Sequence, residues 1–427
     1  MRTARGVGFV VIPALVVGLA IVERAGACPN CGPPKPALSQ QMADADAVVL
    51  VQWIAARKPP EDDAPAASER SFPPEFSAGD PASADVGSTT YEIVRVARGE
   101  SAAIRPGGRI ELVRYRPGKK GDLFLLMGIQ GTTMEWDVPV EISAAGFAYL
   151  EQSPAPDAPA AQRLEYFLKY LEFPDPLVAA DAFQEFANAP YKDMLPLVDK
   201  MPRERLRKWI FDAETVPTRL NLYGMMLGLC GDETDEALLK KKILARSDEM
   251  RLEMPGIMSG YLTLAGDEGL ALLEEEKLRP RYVEVEQPDG TLKRENQIPF
   301  SETYAALRAV QFLWDYERDR VAPERIKQSM RIVLERSDLA DFAIADLARW
   351  KDWEIQDRVM ELYGAKDFDA AAIKRAIIRY FLTCARDVPA GATTDPPHVA
   401  KAKAHLETLK KRDPKLVADV ERFSFFE

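Results

Sequence analysis

The chain has 427 residues, 47% of them apolar, a net charge of −11, four Cys and only two His. It is too long for one ordinary domain of roughly 100–200 residues. Its acidity argues against nucleic acid or anionic membranes, where affinity comes from basic groups meeting phosphates. Two His leave little material for Ser-His-Asp or Cys-His catalysis, and four Cys are too few for a disulfide framework to hold the fold.

The chain opens with Arg2 and Arg5, an apolar run from Val7 to Val22, and Ala25-Gly26-Ala27. A basic start, a short apolar core and small residues at −3 and −1 predict a signal peptide over 1–27. Gly8, Pro13 and Gly18 interrupt a run already too short to span a membrane. Cleavage would remove three Arg and one Glu, leaving a net charge of −13 and Cys28 at the N-terminus. The protein is therefore expected to be exported to the periplasm, the cell surface or beyond. Bacterial lipoproteins carry their lipid on such a Cys, but usually with Leu at −3, where this chain has Ala25. A diacylated Cys28 would tether the protein to the membrane.

Residues 28–150 read as β. Ala47–Ile54 is a buried-strand run, Thr90–Val96 and Arg109–Val113 alternate at period two, and Asp122–Met127 is a short apolar run. Met134–Ile142 and Gly146–Leu150 supply one or two strands more. Five or six short strands fit a small barrel or sandwich. Residues 57–89, rich in Pro, Ala, Ser, Asp and Glu, read as a disordered surface insertion, and 151–162 as an interdomain linker.

From 163 onwards the period becomes helical. Leu164, Phe167, Leu168 and Leu171 share a face, and Pro174-Asp175-Pro176 ends one helix and starts the next. The segments Leu222–Asp232 and Ser259–Asp267 both end in Gly-Asp, 35 positions apart. Ala309–Trp314, Ile344–Trp350 and Ile377–Leu382 occupy comparable places further on. A Gly past a helix end suits a left-handed C-cap, and the following Asp caps the next helix. Repetition at this period with helix pairs is the signature of an α-solenoid. Within 279–299, a hairpin is expected around Asp289-Gly290.

The run Tyr170-Leu171-Glu172-Phe173-Pro174-Asp175-Pro176-Leu177-Val178-Ala179-Ala180-Asp181-Ala182-Phe183 resembles a HEAT repeat. That resemblance implies repeat architecture over about 163–427, and protein binding by analogy. The first part is similar to the netrin-like, TIMP-type module, an OB-fold barrel. The similarity rests on Cys28, Ala45–Val51, Tyr91–Gly99 and Gly121–Leu126. In that family an N-terminal Cys presents its amine and carbonyl to a protease zinc, which would make Cys28 a metal ligand here. The spacing Cys28-Pro29-Asn30-Cys31 is one residue longer than the family's Cys-x-Cys, and no later Cys lies within 32–150.

Cys28-x-x-Cys31 is the sharpest local motif. A local disulfide, or bridges from these Cys to the helical part, is the favoured reading; thiol-disulfide exchange and half of a zinc site are the alternatives. Cys230 and Cys384 fall in apolar helix segments and read as buried small hydrophobes. His398 and His405 sit seven apart on the predicted tail helix and read as solvated. The carboxylate runs Glu61-Asp62-Asp63 and Glu274-Glu275-Glu276 read as surface. Trp314, Tyr316, Trp350 and Trp353 either fill gaps between repeats or form a partner-binding stripe.

The expected architecture is thus a small OB-like β-barrel followed by an α-solenoid of HEAT-like helical pairs. The expected function is that of an exported, non-enzymatic protein-binding or scaffold protein of a bacterial envelope, with a protein partner, no nucleic acid, no cofactor and no catalytic residues. The alternatives are a TIMP-like metalloprotease ligand acting through Cys28 and a thiol-disulfide enzyme using Cys28 and Cys31.

Overall fold

A computed structural model of the protein describes residues 28–59 and 87–423, apart from 246, 248, 249, 289 and 290. The predicted signal peptide and residues 60–86 of the expected insertion lie outside these residues. A short helix α1 (Leu38–Asp44) precedes a sheet of β1 (Ala47–Arg57), β2 (Ser88–Arg98), β3 (Arg109–Leu112), β4 (Leu123–Gln130), β5 (Met134–Trp136) and β6 (Val140–Glu141). The order is β3-β2-β1-β4-β5, every pairing is antiparallel, and β6 also pairs with β4. The edge strands β3 and β5 do not pair with each other, so the sheet is open.

The central position of β1 explains why Ala47–Val51 is apolar without alternation. Successive side chains point to opposite faces, and here both faces are covered. Ala47, Val49 and Val51 join Tyr91, Ile93, Ile104, Ile110, Phe124 and Leu126 in a core of the sheet region alone. Tyr91 and Phe124 meet edge to face at 5.5 Å in that core. Val48 and Leu50, with Leu125 and Met127, face the helices and belong to one continuous core running on to Val420.

The helices begin earlier than the periodicity suggests. Residues 146–150, read above as strand, lie in helix α2 (Ala144–Gln152), whose N-terminus Ser143 caps by accepting from the Gly146 N–H. Gly146, Phe147, Tyr149 and Leu150 are buried, a spacing compatible with either period over so few residues. Helices α3 (Ala160–Phe167), α4 (Pro176–Asn188) and α5 (Tyr191–Met194) follow, with Asp175 capping α4 through the Leu177 N–H at 2.9 Å. Next come α6 (Arg203–Phe211), α7 (Leu220–Cys230), α8 (Glu233–Leu244) and α9 (Met254–Leu273). The hairpin of β7 (Tyr282–Glu286) and β8 (Leu292–Asn296) is present as expected, although Asp289 and Gly290 lie outside the described residues. The chain ends with α10 (Phe300–Tyr316), α11 (Pro323–Val333), α12 (Ala340–Arg349), α13 (Gln356–Leu362), α14 (Ala371–Arg386), α15 (Pro397–Arg412) and α16 (Pro414–Phe423). No helix of the described residues is long and apolar enough to cross a membrane.

The two Gly-Asp turns differ in mechanism. Gly266, at φ +54° and ψ −127°, breaks α9 internally in a conformation that glycine alone adopts readily, outside the left-handed helical region. Gly231 has φ −81° and is extended. It is needed because a Cβ there would lie 2.4 Å from the Leu227 carbonyl oxygen. Asp232 then caps α8 in a reciprocal box with Asp235.

Contacts order the apolar helices into a row. α7 packs on α9, α9 on α10, and α12 on α14. Gln311 bonded to Asp346, and Trp314 stacked on Trp350, join α10 to α12. α7 and α9 approach closely, with Gly224 and Gly228 facing Gly256 and Gly260 backbone to backbone. Asn221 closes the upper end, donating to the Leu252 carbonyl and accepting from the Gly256 N–H.

Candidate functional site

Residues 28–37 run as a strap across the helices. The Cys28 nitrogen donates to the Ala187 carbonyl at 3.1 Å, and the Pro29 carbonyl accepts from Arg308 on α10 at 2.6 Å. Asn30 donates to Ser259 on α9 at 3.0 Å. Asn188 at the end of α4 bonds both backbone groups of Lys35, accepting from its N–H and donating to its carbonyl. Cys28 and Cys31 are joined in a disulfide, and Cys28 is only 3% exposed. Both Cys28 backbone atoms that a zinc ion would use are engaged, since its carbonyl accepts from the Cys31 N–H. The strap therefore packs with the helices.

The strap leads into α1, which two buried carboxylates of α4 hold at its N-terminus. Asp181 accepts from the Leu38 N–H at 2.6 Å and from the Tyr149 hydroxyl at 2.9 Å. Glu185, one turn on, accepts from Ser39 and pairs with Arg163. Carboxylates at a helix N-terminus complete its unpaired N–H groups and meet the positive end of its dipole. Burial pushes the Asp181 carboxyl up to about 6, against the lowering effect of its two donors. Arg98 of β2 closes the other end of α1 by donating to the Ala43 and Ala45 carbonyls.

The aromatic candidates do not share one exposed stripe. Trp350 is buried and stacks on Trp314 at 4.5 Å, bridging α12 and α10. Tyr316 meets Tyr191 and Phe312, and is itself 37% exposed. Trp353 donates to Asp387 at 2.7 Å and lies edge to face with Tyr380. Burial raises the thiols of Cys230 and Cys384 to about 11 and about 12, so neither is a ready nucleophile. His398 lies 3.8 Å from a carboxylate oxygen of Asp387, and His405 3.4 Å from Asp357. Glu274 pairs with Arg325 on α11, while Glu275 and Glu276 pair with Arg281; Glu61, Asp62 and Asp63 lie outside the described residues.

Among the described residues, one acidic group has the spacing of a metal site: Glu324, Asp352 and Glu354. The Arg331 guanidinium contacts all three, at 3.3, 2.6 and 3.1 Å, and occupies the place a cation would take. Asp235, fully buried, is similarly matched by Arg203 and Arg207. These charges are closed ion pairs that tie neighbouring helices together.

A polar ladder leads from the strap along the helix row. Arg308, which holds the Pro29 carbonyl, also donates to Gln311. Gln311 donates to Asp346 on α12, and Asp346 accepts from Arg349. Arg349 forms one wall of an open groove of about 880 Å³ between α12 and α14. The α12 side carries Asp341, Phe342 and Ala345, and the α14 side carries Arg375, Arg379 and Thr383. Phe342 is 42% exposed, and Tyr380 is buried at the floor. Arg349 is paired with Asp315 and Asp346, whereas Arg375 and Arg379 form no ion pair or hydrogen bond among the described residues. Sequence reading passed over this groove, although its signal is visible: α14 has three Arg and one Lys and no acidic residue, in a chain with a net charge of −11. Comparison with protein-family models, with curated proteins and with solved structures gave no match to the chain.

Proposed function

We propose that this is an exported, non-enzymatic binding or scaffold protein of a bacterial envelope. Its helices would act as a HEAT-like solenoid holding extended segments of a protein partner, with the sheet serving as a netrin-like, OB-type module beside it. The observation that carries the reading is the strap. The helix row already grips a segment of chain in cis: Ala187 and Arg308 hold backbone groups of the disulfide-closed turn at residues 28–31, Ser259 accepts from the Asn30 side chain, and Asn188 holds the backbone of Lys35. Bonding to backbone groups lets a surface hold a segment of chain with little regard to side-chain identity. The groups that could do chemistry are meanwhile committed elsewhere: two thiols to a disulfide, two to apolar cores, and the buried carboxylates to helix ends and ion pairs. A zinc-ligand role for Cys28, or a redox role for Cys28 and Cys31, would require the strap to leave its seat first.

Photo-crosslinking in producing cells tests the reading. A benzophenone side chain placed at exposed Thr383 on α14 should give a discrete protein adduct, and one placed at exposed Arg358 on α13 should not. Absence of adducts from both positions would overturn the proposal. Export is tested separately by intact mass: residues 28–427, with or without acyl chains, fits it, and the uncleaved 427-residue chain would count against it.

A further inference from the structure

We infer that the groove between α12 and α14 binds an extended, acidic segment of a protein partner, with two carboxylates two residues apart seated on Arg375 and Arg379. The inference rests on the proposed binding function and names the chemistry of the partner. Three observations carry it. Arg375 and Arg379 stand four residues apart on one helix face, where like charges disfavour the helix by a few tenths of a kcal/mol. In this acidic chain their charges are nonetheless unmatched: neither has a hydrogen-bond or ion-pair partner among the described residues. Third, the groove that they line is open and half apolar, with Phe342, Ala345 and Ala376 beside them.

The spacing selects the form of the occupant. Four residues of helix rise about 6 Å. Alternate side chains of an extended chain point the same way and are about 6.6 Å apart. Carboxylates at positions i and i+2 of an extended segment therefore match the two guanidinium groups, and Arg is suited to bidentate carboxylate contacts. An apolar side chain at i−2 or i+4, on the same face of the segment, has Phe342 and the alanines to pack on. Asp341, which also lines the groove and forms no ion pair among the described residues, disfavours a further carboxylate at its own end. The ladder through Arg308, Gln311 and Asp346 connects this groove to the strap, so the strap and the bound segment would lie along one row of helices.

The test uses the full chain and a fluorescein-labelled peptide, Gly-Leu-Ser-Glu-Ser-Glu-Ser-Leu-Gly, followed by fluorescence anisotropy at low salt. We expect saturable binding that is at least tenfold weaker for the Arg375→Ala/Arg379→Ala double variant. Replacing both Glu of the peptide by Gln should weaken binding similarly. Arg205→Ala, which removes a positive charge on α6, should leave it unchanged. The double variant should keep the wild-type melting curve, because neither side chain is bonded to the fold. Equal binding by wild type and double variant, or no binding by wild type, would overturn the inference. In that event a crosslink from Thr383 would still stand for the binding function, so the two failures are distinguishable.

Discussion

The crossing of α7 and α9 gives the sharpest stability prediction. A Cβ on Gly260 would lie 1.9 Å from the Gly224 carbonyl oxygen and 2.7 Å from its carbon. Those atoms are backbone on both sides, so no side chain can rotate away, and the helices must part by about 1 Å. Overpacking of a close-packed interior costs about 1–3 kcal/mol, and this site belongs at the upper end because the obstacle is rigid. Parting the helices also loosens the buried Leu222, Met225 and Ile257, since a gap of that size forfeits a quarter to a half of each dispersion contact. Ala gains about 1 kcal/mol over Gly in helix propensity. The net expectation for Gly260→Ala is a loss of about 2–3 kcal/mol. Arrays of helices can unfold in parts, so urea unfolding should be paired with hydrogen exchange of peptides from α7 and α9. Faster exchange confined to these helices, with a lower urea midpoint, is the expected result. A midpoint and exchange pattern equal to wild type would refute the argument that backbone contact here requires glycine.

Asp181 makes stability depend on pH in a stated direction. Its folded pKa of about 6 lies above the ordinary carboxylate value of 3.8, so the folded state binds the proton more tightly. Stability from this group therefore falls as pH rises from about 4 to about 6, by roughly 2–3 kcal/mol if the whole shift is realised. Asp181→Asn should flatten that fall in denaturation curves at pH 4.5 and 7.5; an unchanged slope would remove Asp181 as its source. Trp353→Ala should lower stability by about 3 kcal/mol through lost packing on Tyr380 and the lost bond to Asp387, while crosslinking from Thr383 persists. Weaker crosslinking at an unchanged melting temperature would instead make Trp353 a partner contact. Asn188→Ala removes both bonds to Lys35 and should make residues 28–37 cleavable by protease several-fold faster, with global unfolding little changed. Iodoacetamide at pH 7.5 should label Cys230 and Cys384 far more slowly than a free thiol, because both thiols are held protonated.

Much of the local structure was determined by sequence alone, because period and caps are local physics. The uninterrupted Ala47–Val51 run belongs to a strand covered on both faces, Asp175 and Asp232 cap the helices they precede, and Leu164, Phe167, Leu168 and Leu171 are buried together. The paired G-x-x-x-G spacings of Gly224–Gly228 and Gly256–Gly260 are likewise visible in the sequence. That each is the other's partner was decided only when two helices met. The same holds for Gly146–Leu150, where so short a buried run fits strand or helix until its neighbours are known. Tertiary structure alone brought Cys28 to Ala187, joined Asp181 and Glu185 to a helix start some 140 residues earlier, and enclosed Arg331 among three carboxylates. It also left Arg375 and Arg379 unmatched beside an open groove. Whether a charge is paired depends on groups distant in the chain, and periodicity carries no information about them. The sequence could therefore indicate where helices lie, and only the packed fold could say which of their charges were still free to bind.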